Sequence, residues 1–391
     1  MYFCSNYSLA VAFCVVTMFC WGNTQKLAGK AGAANLAMFV LLLAGLGSII
    51  AAGESKGDAE REPVKVIFDT DMYTDFDDAG ALACLHAMAD AGECEILATV
   101  ANTRDCMSVA MCEIINAYYG RPEIPVGCSR EIGRTGSNAT HVKRYGATVE
   151  KYGKWVKHRN SNEAPDANEV YRRILAAQPD QSVVVCSVGF LTNMRRLLET
   201  KPDAISPLDG KALVAKKVKL WVAMACKYPD GKEYNSMMDP ESSRIAIENW
   251  PTPVIFTDFE YGRDCFAGRV LAESGQTGNP VAEVFAGNIP SRDEIRRDSA
   301  RYLRSRFGMG GRAAWDETAA LIAVRGTKLY FNTERGAYRM VGNDGANEWA
   351  PDAERGPHLR VTEKLAKAEV AKIIDELMMR IPRRNMSAPR R

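Results

Sequence analysis

The sequence predicts an α/β fold, with a mostly parallel open sheet flanked by helices. Two observations carry this prediction: short β-rich runs alternate with longer segments of helical spacing, and the short runs are apolar almost throughout. Continuous apolar strands are typical of a parallel sheet covered by helices on both faces. The expected strands are, in chain order, "VKVIF", "EILATVA", "SVVVCSV", "VKLWVA" and "PVIFT".

The segments between these strands have the periodicity of helices. Leu82, Leu85 and Met88 fall on one helix face after the first strand. Residues 130–170 are polar and are expected to form loops and helices at the rim. Residues 275–312 are expected to be helical, with a glycine-rich turn before the run "AAWDETAALIAV".

Composition sets broad limits on the class of protein. The chain has 391 residues, 47% of them hydrophobic and 25% charged, which suits one large globular domain or two modest ones. We expect a single catalytic domain over residues 54–380, followed by a basic disordered tail over residues 381–391. The net charge is +2 and no dense basic stripe with interleaved aromatic residues occurs, so no nucleic-acid partner is predicted.

The N-terminus differs in kind from the rest of the chain. The apolar run "LAMFVLLLAGLGSIIAAGES" follows Lys26 and Lys30 and ends in small residues near Gly53. This pattern is typical of a secretory signal. Residues 1–53 are therefore predicted to be a leader cleaved near Gly53, which makes the protein periplasmic or secreted. The alternative is an N-terminal membrane anchor, since about 20 apolar residues can span a bilayer.

The cysteines do not indicate a metal site. The chain has 11 cysteines but no CxxC pair, so the spacing predicts no zinc site. Cys84 and Cys112 lie in helix-like runs and are predicted to be small buried apolar residues.

Five aspartates follow the first strand within ten residues, namely Asp69, Asp71, Asp75, Asp77 and Asp78. In open α/β sheets, ligands bind beyond the carboxyl ends of the strands, which is where this segment lies. Crowded carboxylates raise one another's pKa, and a hard divalent cation such as calcium or magnesium removes that conflict. The alternative is a solvated acidic turn that also caps the next helix.

Known acidic and phosphate motifs do not fit this segment. An EF-hand loop requires glycine at its sixth position and glutamate at its twelfth, and no start in the segment meets both requirements. Phosphatases of the haloacid-dehalogenase type carry a small residue where Tyr73 stands, and no Walker motif is present.

The segment instead resembles the signature DxDxGxDDAxAL of the inosine–uridine-preferring nucleoside hydrolase family. The matching residues are Asp69, Asp71, Asp77, Asp78, Ala79, Ala81 and Leu82. Asp75 and Phe76 lengthen the loop by two residues, and Tyr73 occupies the place of the family's loop glycine.

Four later segments resemble further motifs of the same family, in the same order along the chain. They are "TVAN", "SVGFLTNMRRLL", "KEYNSMMDPESSRIAI" and "AAWDETAALIAV". With the acidic loop, they span Val64 to about Val324. The resemblance implies a nucleoside-hydrolase-like fold with a Rossmann-like core.

The resemblance also implies the roles of individual residues. It assigns Ca²⁺ to the side chains of Asp71, Asp78 and Asp316 and to the backbone carbonyl of Val188. Asp71 is also the implied catalytic base. The side chains that bind substrate are expected to be those of Asp77, Asn102, Glu233, Asn235 and Trp315. Asp69 is expected to order the loop by accepting hydrogen bonds from backbone N–H groups.

Trp315 is the main departure from the family pattern. The well-studied pyrimidine-accepting members have a histidine there, proposed as the general acid, and an indole cannot donate a proton in that role. Leaving-group activation could then come from stacking of Trp315 on the base or from another acid, for which Glu260 is a candidate. Trp315 could instead be a core residue beside the site. His141 lies where some members have an active-site histidine, or is a surface residue.

The implied function is a calcium-dependent hydrolase that cleaves the N-glycosidic bond of ribonucleosides to free base and ribose. Two alternatives stay open: a related hydrolase of another glycoside or ribosyl conjugate, and a calcium-containing nucleoside- or ribose-binding protein that has lost turnover. The partner is a small nucleoside or riboside. The family resemblance also implies a homodimer or homotetramer.

Overall fold

A ten-stranded sheet forms the centre of the protein, which a computed structural model describes over residues 62–72, 75–131, 139–303, 307–351 and 356–383. The predicted leader and most of the predicted basic tail lie outside these residues, so both stay predictions. Within the described residues, no helix is both long and apolar enough to cross a membrane.

The strands of the described residues form two sheets. Their bounds are β1 Val64–Thr70, β2 Cys94–Ala101, β3 Val126–Cys128, β4 Val183–Ser187, β5 Val218–Ala223, β6 Asp230–Lys232, β7 Val254–Phe256, β8 Phe266–Gly268, β9 Phe307–Gly308, β10 Gly311–Ala313, β11 Phe331–Val341, β12 Ala346–Ala350 and β13 His358–Glu363. The large sheet has the order β3-β2-β1-β4-β5-β7-β13-β11-β12-β6, and the small one β8-β10-β9. The pairs from β3 to β13 are parallel, whereas β11, β12 and β6 continue the sheet with antiparallel pairing.

This topology confirms the predicted fold class. The five strands expected from the sequence are β1, β2, β4, β5 and β7, and their side chains are mostly buried because helices cover the parallel part of the sheet. The strand order reverses between β1 and β4, and a crevice opens at such a switch point beyond the carboxyl ends of the strands. The acidic segment after β1 lies at this crevice.

The helices have the following bounds: α1 Asp77–Asp90, α2 Cys106–Tyr118, α3 Ala139–Tyr152, α4 Ala167–Ala177, α5 Thr192–Glu199, α6 Gly210–Lys217, α7 Tyr234–Met238, α8 Pro240–Asn249, α9 Phe259–Arg263, α10 Arg269–Ala272, α11 Pro280–Asn288, α12 Arg292–Arg297, α13 Ser299–Leu303, α14 Trp315–Arg325 and α15 Lys367–Met378. Helix α1 is buried over almost its whole length and packs against α14. Gly80 permits this approach, because a Cβ there would lie 2.2 Å from Oε1 of Glu317.

The structure differs from the sequence prediction in two regions. Residues 275–312 contain the helices α11 to α13, but the predicted helical segment ends in the β9–β10 hairpin, which brings Arg312 onto a strand. The C-terminal hairpin of β11 and β12 was not predicted, and it pairs with β6 through β12. Cys84 and Cys112 are buried, as predicted.

Candidate active site

A pocket opens beyond the carboxyl ends of β1, β4 and β5. It encloses about 370 Å³ of empty space, which includes open solvent at its mouth. The residues that line it are Asp71, Asp75, Asp77, Val188, Met224, Glu233, Tyr234, Asn235, Phe259, Trp315 and Asp316. The structure therefore brings together most of the residues predicted from the sequence.

Three aspartates of the loop after β1 are arranged like metal ligands. One carboxylate oxygen from each of Asp71, Asp75 and Asp78 lies within 4.8 Å of the others. Oδ1 of Asp78 accepts hydrogen bonds from the Thr70 hydroxyl and, at 3.0 Å, from the Met72 N–H. Its Oδ2 is buried and has no hydrogen-bond partner among the residues that the structure describes. A buried oxygen without a partner costs free energy, and a bound cation would remove that cost.

The electrostatics of this cluster also favour a cation. Burial raises the pKa of Asp71 well above its usual value, and the charges of Asp78 and Asp75 raise it further. Burial likewise raises the pKa of Asp78, as do Asp75 and Asp77. An all-oxygen donor set suits a hard cation such as Ca²⁺ or Mg²⁺. The residues present therefore fit a divalent metal ion.

The other two predicted metal ligands lie at the same pocket. Asp316 is the second residue of α14 and lines the pocket, but it is not part of the three-aspartate group. Burial raises the pKa of Asp316 well above its usual value, and so do Asp77 and Asp78. The Val188 carbonyl accepts a hydrogen bond from Asn235 Nδ2 at 3.2 Å.

Arg312 is a site residue that the sequence analysis missed. Its side chain is buried, and it donates from Nε to Asp77 Oδ1 at 3.0 Å and from Nη2 to Asp75 Oδ2 at 2.6 Å. Burial raises the pKa of Asp77 to about 6, although the Arg312 charge opposes this rise. One basic residue in the run "GRAAWD" is not a recognisable motif, so only the three-dimensional contacts identify it.

Glu233 and Asn235 form a second, hydrogen-bonded wall of the same pocket. The Glu233 carboxylate caps α7 and accepts the backbone N–H groups of Asn235 and Ser236 at 2.8 and 3.0 Å. Burial nevertheless raises the pKa of Glu233 to about 7. Asn235 Nδ2 donates to the carbonyls of Val188 and Met224. These bonds fix both side chains without a ligand.

Asn102 and Asp69 bond to each other and do not line the pocket. Asn102 is buried, its Nδ2 donates to Asp69 Oδ1 at 2.7 Å, and its Oδ1 accepts the Phe190 N–H. Asp69 also accepts from the side chains of Tyr171 and Asn193, both at 2.9 Å. The prediction that Asp69 accepts hydrogen bonds from backbone N–H groups is therefore wrong, because its carboxylate oxygens accept from polar side chains of neighbouring elements instead. The assignment of Asn102 to the sugar stays a prediction.

Trp315 is both a buried residue and a part of the pocket wall. Its indole N–H donates to the Phe259 carbonyl at 2.8 Å, and the two rings stack with centroids 5.3 Å apart. A Cβ at Gly262 would lie 2.3 Å from the indole, so glycine permits this packing. Glu260 does not line the pocket, and its carboxylate accepts the Tyr228 N–H at 2.8 Å.

Two residues named from the sequence cannot be placed. Tyr73 lies outside the described residues, and the side chain of His141 is not described although its backbone belongs to α3. Their roles stay predictions.

Comparisons with known proteins agree with this fold. The family model "Inosine-uridine preferring nucleoside hydrolase" matches residues 66–377. No curated protein sequence gave a match. Among solved structures, a plant nucleoside hydrolase is 18% identical, with a TM-score of 0.56 and coverage of 81% of this chain and 99% of that one.

Two further solved structures are similar in fold. A purine-preferring ribonucleoside hydrolase from Gardnerella vaginalis is 15% identical, with a TM-score of 0.55 and coverage of 81% of this chain and 98% of that one. The type III effector protein XopQ, complexed with adenosine diphosphate ribose, is 14% identical, with a TM-score of 0.58 and coverage of 81% and 94%.

Proposed function

The chain belongs to the inosine-uridine preferring nucleoside hydrolase family, and from this premise we propose that it is a calcium-dependent hydrolase of ribonucleosides. The reaction cleaves the N-glycosidic bond and yields free base and ribose. The observation that carries the proposal is the pocket, which is lined both by Asp71 and Asp75, two members of the three-aspartate group, and by Glu233 and Asn235. One side can hold a cation and a water, and the other can hold sugar hydroxyls.

The acidic side supplies the nucleophile in this proposal. Asp71, Asp78, Asp316 and the Val188 carbonyl would hold Ca²⁺, and Asp75 lies close enough to Asp71 and Asp78 to join them. Calcium in such a site binds a water molecule and lowers its pKa. Asp71 would accept the proton of that water as general base, because its carboxylate lines the pocket beside the predicted cation.

The remaining residues would position the substrate. Asp77, Glu233 and Asn235 line the pocket with oxygen and amide groups, which are suitable partners for ribose hydroxyls. Trp315 and Phe259 form an aromatic wall on which a nucleobase can stack. The indole N–H is already donated to the Phe259 carbonyl, so the proposed contribution of Trp315 to the leaving group is stacking rather than protonation.

The charge of the pocket favours neutral nucleosides over phosphorylated ribosides. The described residues that line it include four aspartates, Asp71, Asp75, Asp77 and Asp316, together with Glu233, but no lysine or arginine. A phosphate would be repelled by these carboxylates. A ribosyl conjugate is the second candidate, because the similar XopQ structure holds adenosine diphosphate ribose.

The direct test is the release of free ribose from inosine, guanosine, adenosine, uridine and cytidine, with added calcium or with a chelator. We expect calcium-dependent release from at least one of the five. ADP-ribose serves as the comparison substrate, and we expect slower cleavage of it than of the nucleosides. If none of the five is cleaved while calcium is bound, the nucleoside proposal is wrong and the ribosyl-conjugate or binding-protein hypotheses take its place.

We also propose that the protein acts outside the cytoplasm, because the N-terminal apolar run has the pattern of a secretory signal. N-terminal sequencing of the mature protein tests this proposal. A mature chain that begins near residue 54 would support export with cleavage, and a chain that begins at Met1 would contradict cleavage.

A further inference from the structure

A buried arginine bonds to two of the aspartates that line the pocket. The side chain of Arg312 is 2% exposed and bonds to both Asp75 and Asp77. Its guanidinium carbon lies 5.5 Å from the centre of the Phe76 ring and 5.1 Å from that of Trp315. The aromatic rings limit the access of water, which strengthens the ionic contacts of this group.

Arg312 also connects two separate segments of the site. It belongs to β10, which leads directly into Asp316, whereas its partners belong to the inserted loop and to the start of α1. A planar guanidinium can bond to two carboxylates at once in a fixed geometry. The ammonium group of lysine makes such contacts with less directional preference. Arg312 therefore ties Asp75 and Asp77 to the segment that carries Asp316.

The charges of the site make this connection important before a metal binds. Arg312 interacts with the carboxyl groups of Asp75, Asp77, Asp316 and Glu317, and those of Asp71 and Asp78 interact in turn with Asp75 and Asp77. Their mutual repulsion grows as they ionise, since they are packed at short distances in a poorly solvated place. A fixed positive charge reduces this repulsion, and so does a bound divalent cation.

We propose that Arg312 is a positioning residue that neutralises part of the acidic site in the metal-free protein and therefore opposes calcium binding. The inference rests on the calcium site of the proposed function. Arg312 and calcium stabilise neighbouring carboxylates of one cluster, in which Asp75 bonds to Arg312 and lies within 4.8 Å of Asp71 and Asp78. The stabilisation by either positive charge is therefore smaller when the other is present. By linkage, removal of the Arg312 charge destabilises the metal-free protein and tightens its binding of calcium.

The test uses the full chain, freed of metal with a chelator and then titrated calorimetrically with calcium chloride. We expect Arg312→Gln to bind calcium at least about fivefold more tightly than the wild type. Its melting temperature should fall in the metal-free state, and the deficit should shrink at saturating calcium. Arg312→Lys keeps the charge, so its calcium affinity should stay near that of the wild type.

Arg360 offers a matched control. It is also a buried arginine that bonds to two carboxylates, those of Asp258 and Glu334, neither of which lines the pocket. Arg360→Gln should lower the melting temperature equally with and without calcium and leave the calcium affinity unchanged. This variant separates the loss of any buried ion pair from the loss of one at the metal site.

The result that overturns the proposal is an Arg312→Gln calcium affinity equal to or weaker than that of the wild type. If this variant does not fold, Asp75→Asn is compared with the double variant that also carries Arg312→Gln, so that both proteins have one carboxylate fewer. The double variant is expected to bind calcium more tightly than Asp75→Asn alone. Failure of the metal site itself has a different signature, because the wild-type protein would then bind no calcium.

Discussion

The two sides of the pocket are built in opposite ways. On the acidic side, the Asp78 Oδ2 atom is buried without a partner, and burial together with neighbouring carboxylates raises the pKa of Asp71 well above its usual value. On the opposite side, Glu233 caps α7 and Asn235 donates to two carbonyl groups. The acidic side has the donor groups of a cation site, whereas the side chains of Glu233 and Asn235 are held by hydrogen bonds within the protein.

This difference indicates which role each side of the pocket has in the proposed reaction. A crowded set of carboxylates stores unfavourable free energy until a cation binds, so the metal becomes part of the folded structure on that side. A hydrogen-bonded wall holds its side chains in one geometry at all times, which suits the recognition of sugar hydroxyls. Substitutions on the two sides should therefore have different signatures.

The largest effect is expected for Asp71→Asn on the acidic side. We expect ribose release to fall by about 10³-fold or more, because both the proposed base and a metal ligand are lost. The metal-free protein should be as stable as the wild type or more stable, since the amide removes a charge that burial penalises. Steady-state kinetics and thermal unfolding check the two parts. Turnover close to that of the wild type would refute the assignment of the base.

Asp316→Ala should have the next largest effect. Asp316 lines the pocket outside the group formed by Asp71, Asp75 and Asp78, so its loss should leave those carboxylates in place. We expect calcium affinity to fall at least about tenfold and ribose release to recover in part when calcium is added in excess. Calcium titration of the activity measures this. An unchanged calcium requirement would exclude Asp316 as a ligand.

On the opposite side, Asn347→Ala tests whether the wall depends on the C-terminal hairpin. Asn347 is buried in β12, accepts the Lys227 N–H at 2.9 Å and donates to the Lys227 carbonyl at 2.8 Å. Its loss leaves two buried backbone groups without partners, which costs about 1–3 kcal/mol of unfolding free energy. We expect KM to rise several-fold with little change in calcium affinity.

Asn332 provides the control for this substitution. It lies on the neighbouring strand β11, is exposed, and donates to the Glu363 carbonyl. Asn332→Ala should leave stability and KM nearly unchanged. A calcium affinity that falls in the Asn347 variant would show that the two sides of the pocket are not independent.

The smallest effect is expected in the pH dependence of stability that Glu233 causes. Burial raises the pKa of Glu233 from 4.5 to about 7 in the folded protein. Below pH 4.5 the Glu233 carboxyl is protonated in both the folded and the unfolded protein, and its contribution to the free energy of unfolding is fully present. This contribution is lost as pH rises through about 7. Glu233→Gln should flatten this part of the profile in chelated protein, as measured by urea unfolding. An identical profile would contradict the assigned pKa.

The parallel part of the fold could be predicted because its strands are buried on both faces and therefore apolar throughout. The antiparallel extension of the large sheet could not be predicted from the sequence. Strand β6 consists of the exposed residues Asp230–Lys232, and its strand conformation depends on pairing with β12 rather than on its own side chains. Strand β11 is half exposed, so its apolar pattern is weak.

The site was predictable to the extent that its residues occur in short motifs at strand ends. The structure places Asp71, Asp77, Glu233, Asn235 and Asp316 around one pocket, and their roles stay predictions. Arg312 has no such sequence signal, because its role depends on contacts between β10 and residues far earlier in the chain. Asp77, for example, precedes Arg312 by 235 residues. The three side-chain partners of Asp69 come from elements that only the tertiary fold brings together.

The most direct test of the central claim is a calorimetric titration of the metal-free protein, first with calcium chloride and then with inosine at low temperature. The account predicts one calcium ion bound per chain, and nucleoside binding that is much tighter after calcium than before it, because the acidic side of the pocket is complete only with its cation. Protein that binds no calcium, or that binds nucleoside equally well with and without it, would contradict the account.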